Sequence, residues 1–130
     1  MTAVDTNVLV RVITNDNKQQ SARATAFLRK QDRVFVAKTV ILEVEWVLRT
    51  AYGFSRERVV EVLRDLLNAQ NVEIEDELTV LQALDWCKRG MDFADSLHLA
   101  SAGPFRRFAT FDVALRREAL RLGASKPVAL

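Results

Sequence analysis

The sequence predicts an α/β domain built on a mostly parallel sheet of four or five strands. Two observations carry the prediction. Short runs rich in β-branched and aromatic residues alternate with longer runs of helical period, the order in which parallel strands and crossover helices appear. Gly, Ser and Thr stand where helices should begin and stop, and no repeat, low-complexity tract or Pro/Gly/Ser-rich linker divides the chain. Its 130 residues are read as one domain, residues 1–130, long enough to bury roughly two-thirds of the surface the unfolded chain exposes.

Thr2–Asp5 reads as the first strand, with a short helix after Asn7 and a longer one over 18–30. Val34–Ala37 is the second strand, and a helix over 39–51 takes Thr39 as its N-cap. Gly53 and Ser55 separate that helix from one over 55–68. Val72–Ile74 is a weaker third strand. The stretch EIEDE at 73–77 is read as a strand end and an acidic helix start, favoured by the helix dipole and given no function. Helices over 76–88 and 92–102 are parted at Gly90, Phe108–Phe111 is the fourth strand, the helix over 112–122 stops at Gly123, and Pro127–Ala129 is a short last strand.

An apolar fraction of 49% and a charged fraction of 28% are those of an ordinary globular protein. No apolar run approaches the roughly 18 residues that span a bilayer, and no basic region precedes a long apolar one. A cytoplasmic location without a membrane anchor is therefore expected. Cys87 stands alone, which points to burial in a helix rather than to redox or zinc chemistry. The net charge of +2 is too small to mark a nucleic-acid binder, but Lys88 to Leu130 carries eight bases against four acids. That basic third could meet phosphates or simply solvate its helices.

In open parallel sheets ligands bind beyond the carboxyl ends of the strands. Asp5 ends the first strand, and Asp112, in ATFD, ends the fourth, with Thr110 two residues earlier on the same face. An aspartate within the apolar run MTAVDTNVLV is expected to be buried and so to need a partner. On the 39–51 helix, Val40, Val44, Val47, Leu48 and Ala51 form the inward stripe at ~100° per residue. Glu43 falls at its margin, where a side chain reaches a cleft, whereas Glu45 on the other side is read as solvated or structural. Leu42 and Trp46 lie opposite the stripe and call for a second apolar neighbour, a homodimer partner or the next helix. In GMDFADSLHLASA, Asp92 reads as an N-cap with Asp95 in the first turn, a capping pattern that gains functional weight from the other acids. His98, the one histidine, is left out of the site. No nucleotide-binding loop or Ser-His-acid elbow is encoded.

Two carboxylates ~4 Å apart repel by ~4 kcal/mol at an effective dielectric of ~20. Three or four together need protons or cations. Carboxylate oxygens are hard ligands that suit Mg²⁺ or Mn²⁺, and such an ion acidifies bound water and stabilises charge on a phosphodiester. Hydrolysis of a nucleic-acid backbone is the reaction this cluster would serve.

DTNVLVR at 5–11, Glu43 in ILEVEWVL, DFADSLHLA at 92–100 and ATFD at 109–112 resemble, in order and spacing, the motifs of PIN-domain nucleases, especially VapC-type toxins of toxin-antitoxin pairs. Each motif is weak alone; four in register across almost the whole chain are specific together. The resemblance implies a three-layer α/β/α sandwich and a Mg²⁺- or Mn²⁺-dependent endoribonuclease. Matched position by position, the acidic set falls on Asp5, Glu43, Asp95 and Asp112, with Asp5 and Asp95 as direct ligands. Asn7 and Thr110 become polar support, and Asp92 is the second-choice acid. The resemblance further implies an RNA substrate, a homodimer, and a small antitoxin protein that wraps the groove and gives the Leu42 and Trp46 face a use. Arg116 and Arg117 could guide the RNA backbone.

Other readings are weaker. A haloacid-dehalogenase-type phosphatase wants a second aspartate where Asn7 stands, and a response-regulator receiver needs an aspartate after the third strand that Lys126 and Pro127 do not supply. A housekeeping RNA-processing nuclease of the same family stays open. So does a non-catalytic RNA- or partner-binding module that keeps its acids for folding.

Overall fold

The computed structural model describes residues 1–124 and 126–130. They form two compact units, 1–77 and 78–130. In the first, β1 (Thr2–Ala3), α1 (Thr6–Thr14), α2 (Lys18–Lys30), β2 (Val34–Val36), α3 (Lys38–Thr50), α4 (Arg56–Asn68) and β3 (Val72–Ile74) follow in order. The strands pair in parallel as β1-β2-β3. Val34 and Val36 of the central strand are fully buried and Phe35 between them is half-buried, the period-two alternation of a strand with one face on a core. α1 packs on α2 and α3, and α3 packs on α4.

The second unit holds α5 (Glu77–Lys88, beginning at the boundary), α6 (Phe93–Ala102), β4 (Phe108–Thr110), α7 (Val113–Arg121) and β5 (Pro127–Ala129). β4 and β5 pair in parallel. Met91, Leu99, Leu115, Ala119 and Leu122 form its apolar cluster, with Trp86, Phe108 and Ala124 packed against it. Cys87 is buried on α5, as its isolation suggested. Among the described residues no helix is long and apolar enough to cross a membrane.

All five expected strands form, but their hydrogen bonds group them as three and two rather than as one sheet of four or five. The strands are short because the chain turns at once into helices. β1 ends at Ala3, before the Asp5 carboxylate caps α1. β4 ends at Thr110, not Phe111, because the Thr110 Oγ1 accepts the Asp112 N–H at 2.9 Å and folds the chain away from the ladder.

Helix α3 departs from expectation at its start and on its inner face. Thr39 is not its cap. The N-cap position is Ala37, with no side-chain bond; instead the Lys38 N–H donates to Glu75 Oε1 at 2.9 Å, and Lys38 Nζ pairs with Asp76 at 2.7 Å. The acidic EIEDE stretch thus has a use, closing an open helix end from the loop after β3. The inward stripe is Ile41, Val44 and Leu48, with Val40 and Val47 half-buried and Ala51 exposed. The helix is therefore turned by most of one ~100° step from the expected setting. Glu45 goes inward with this turn: it is 5% exposed and bound to Arg49 Nε at 2.8 Å. Its structural reading stands and its solvated one does not, since only a paired carboxylate is tolerated there.

Candidate active site

Asp5 sits where β1 gives way to α1. Its Oδ1 accepts the Thr6 N–H at 2.6 Å. The side chain is exposed, so the expectation of a buried aspartate in need of a partner fails: water and a helix N-terminus already stabilise it. Asn7 follows on the first turn of α1, also exposed. Glu43 projects from the exposed side of α3 and has no hydrogen bond or ion pair among the described residues.

In the second unit three acids come together around two helix starts. Asp92 caps α6, its Oδ2 accepting the Asp95 N–H at 3.1 Å. Asp112 caps α7, its Oδ1 accepting the Leu115 N–H at 3.0 Å. Asp95, in the first turn of α6, is half-buried. Burial pushes its carboxyl above the ordinary carboxylate value; the Asp92 and then the Asp112 carboxylates push it the same way, against a smaller pull from His98. The sequence ranked Asp92 behind Asp112, yet Asp92 has the larger influence on Asp95. Capping does not exclude a second role, because it takes one oxygen of the carboxylate. Thr110 acts through the backbone of Asp112. Arg116 is half-buried and Arg117 exposed on α7, neither in an ion pair among the described residues.

Asp95 gives a signed prediction. A carboxyl whose pKa in the fold lies above the ordinary 3.8 holds its proton more tightly folded than unfolded, so stability falls as pH rises through the window above 3.8. The unfavourable contribution is fully present at neutral pH. The α6 N-terminus favours the charged form by ~0.3–1 kcal/mol at an exposed first-turn site and up to ~2 kcal/mol at a partly buried one; the net direction at Asp95 is still upward. Asp95→Asn is therefore expected to melt above the parent at pH 7 in chelator, with the difference shrinking toward pH 4. Calorimetry at both pH values checks this; an equal or reversed difference at pH 7 rules out the electrostatic origin.

The donor set suits a hard divalent cation. In the second unit its oxygens are carboxylates, Asp92 and Asp112 stand at helix caps with one oxygen to spare, and the like charges around Asp95 are the repulsion a cation relieves. Among the described residues no three of His, Cys, Asp and Glu are gathered closely enough to form a protein cage. Mg²⁺ sites rarely have one, since they keep several waters and take one or two carboxylates with substrate phosphate.

A second feature lies wholly in the first unit. Asn7, Val8 and Arg11 of α1 and Gln20, Arg23, Phe27 and Lys30 of α2 line a groove of about 770 Å³. No role was read into this helix from the sequence. The signal was present, though: four bases and no acid over Lys18–Lys30, with Arg23, Phe27 and Lys30 at i, i+4 and i+7 on one face.

The chain is thus an α/β domain of parallel strands, with aspartates capping the helices that follow β1 and β4. The chain belongs to the PIN domain family, whose model matches residues 2–119. Members of that family are generally nucleases that bind divalent metals, and this chain has their fold. No curated protein matches the chain.

Proposed function

We propose that this chain is a Mg²⁺- or Mn²⁺-dependent endoribonuclease and the toxin of a toxin-antitoxin pair. The observation that carries the metal-dependent reading is the PIN-domain match over residues 2–119, supported by Asp92 and Asp95 at the start of α6 and Asp112 at the start of α7. Asp5 and Asp95 are the proposed direct ligands, and Glu43 and Asp112 complete the acidic set. The chemistry such a cation supplies when bound is acidification of water and neutralisation of charge on the phosphodiester. The protein's share is to fix carboxylate oxygens: the caps at Asp5, Asp92 and Asp112 each tie one oxygen to a backbone N–H and so set the direction of the other. The Thr110 hydroxyl holds the turn that presents Asp112, and the Asn7 amide is available to a phosphate oxygen. Arg116 and Arg117 would meet the RNA backbone.

Incubation of purified protein with structured RNA tests the enzyme: cleavage is expected in Mg²⁺ or Mn²⁺ and lost in chelator. Chelator-insensitive binding without cleavage would favour a non-catalytic module. Growth arrest on expression in the cytoplasm, relieved by the neighbouring small open reading frame, tests the toxin; activity without arrest would favour a housekeeping RNA-processing nuclease. Trp46, 57% exposed on α3 beside the half-buried Leu42, supports a homodimer or antitoxin contact on that face. A strict monomer in sedimentation at high concentration would remove the dimer.

Metal should also register in stability. With Mg²⁺ at ~100 times its dissociation constant the parent is expected to gain ~2.7 kcal/mol. A thermal scan with and without the ion reads this, and no shift at saturating Mg²⁺ would argue against the assigned ligands.

A further inference from the structure

We infer that the groove between α1 and α2 is a binding track for single-stranded RNA, with Arg23 and Lys30 taking phosphates and Phe27 stacking on a base. The choice of RNA rests on the ribonuclease reading; the location rests on the groove itself. Its lining carries three cations and no acid. They differ in kind. Arg11 is held in place, its Nη1 on Asp16 at 3.1 Å and its Nε on Gln20 at 2.5 Å, while Asp16 is itself fixed by the Tyr52 hydroxyl at 2.6 Å. Arg23 and Lys30 are exposed and in no ion pair among the described residues. Seven residues of helix set them ~10 Å apart along α2, with Phe27 between them on the same face.

Phe27 decides among anionic partners. It is 38% exposed, on a helix whose single buried residue is Ser21. An aromatic face flanked by unpaired cations is the arrangement that holds single strands, where stacking and phosphate contacts act together. An acidic peptide would use the cations and leave the ring idle. Asn7, part of the lining, is two residues from Asp5 in the chain, so a strand in this groove would run near the first of the proposed ligands.

The test measures binding rather than cleavage, so it does not depend on whether the protein is a nuclease. A fluorescent 12-nucleotide oligo-U is titrated with the full chain in chelator at several salt concentrations and followed by anisotropy. Arg23→Ala with Lys30→Ala is expected to weaken binding at least ~10-fold at low salt and to flatten the slope of log K against log salt by ~1.4, at ~0.7 per lost phosphate contact. Phe27→Ala should weaken it ~5- to 100-fold, Phe27→Tyr should restore it, and Phe27→Leu should not. Arg56→Ala, an exposed cation on α4, should leave binding unchanged. An unchanged constant and slope in the double variant overturns the inference. So does competition by a 12-residue poly-glutamate equal to that of oligo-U with Phe27→Ala silent, which would make the groove a site for acidic protein segments. An Asp5→Asn protein that still cleaved at the parent rate would sink the catalytic assignment and leave this result standing.

Discussion

Asp5→Asn is expected to lower Mg²⁺-dependent RNA cleavage by at least ~100-fold while melting with the parent in chelator. The two halves have separate causes. Asparagine caps helices about as well as aspartate, so the bond from the Thr6 N–H to Oδ1 survives and α1 keeps its start. What disappears is one negative charge and, on the proposed assignment, one hard anionic ligand. If that ligand contributes ~3 kcal/mol to transition-state stabilisation, the rate falls ~100-fold, at 1.36 kcal/mol per decade. Asp5→Ala is a poorer test because loss of the cap alone costs ~1 kcal/mol and mixes folding with chemistry. Cleavage by the Asn variant at the parent rate, with contaminating nuclease excluded, would remove Asp5 from the machinery.

The helices and strands were legible because their signals are local. Periodicity, Ser55 and Asp92 as caps, and Gly90 and Gly123 as stops act within a few residues, and α2, α4, α5, α6 and β5 fall within a residue or so of expectation. What was misread depended on which way a side chain faces and what meets it in the folded chain. Thr39 looked like a cap, but Glu75, thirty-seven residues from the Lys38 it binds, closes that helix end. For Glu45 the sequence left solvent and structure both open, and the pairing with Arg49 that accompanies its burial decides for structure. Asp5 looked buried because its neighbours are apolar, yet at the turn from β1 to α1 it faces out while Val4 and Thr6 on either side of it are buried. Strand pairing, too, is a property of the folded chain, and the division into three and two strands has no local signature. In the acidic set, the residue types were readable and their mutual influence was not: nothing in the spacing of Asp92, Asp95 and Asp112 said that Asp92 would weigh more on Asp95 than Asp112 does.

Leu99→Ala is expected to cost ~2–5 kcal/mol of stability, a large share of the ~5–15 kcal/mol typical of a domain, and to unsettle the acids with it. Leu99 is 1% exposed, in one cluster with Met91 and Leu115. Each of these three is tied to an acid by the chain. Met91 immediately precedes Asp92, Leu99 lies one turn beyond Asp95 on α6, and the Leu115 N–H is the donor that Asp112 caps. The same apolar packing therefore holds the starts of α6 and α7 at the spacing that makes Asp92 and Asp112 felt at Asp95. A cavity at Leu99 loosens that spacing and admits water, so the variant should also let the Asp95 carboxyl fall back toward its ordinary value. Chemical denaturation reads the first effect and an NMR titration of the Asp95 carboxyl the second. Leu99→Met, which keeps the volume, should cost under ~1.5 kcal/mol and leave the titration where it was. If Leu99→Ala lost stability as expected but Asp95 titrated as in the parent, the cluster would be a core and nothing more, and the acids would owe their arrangement to their caps alone.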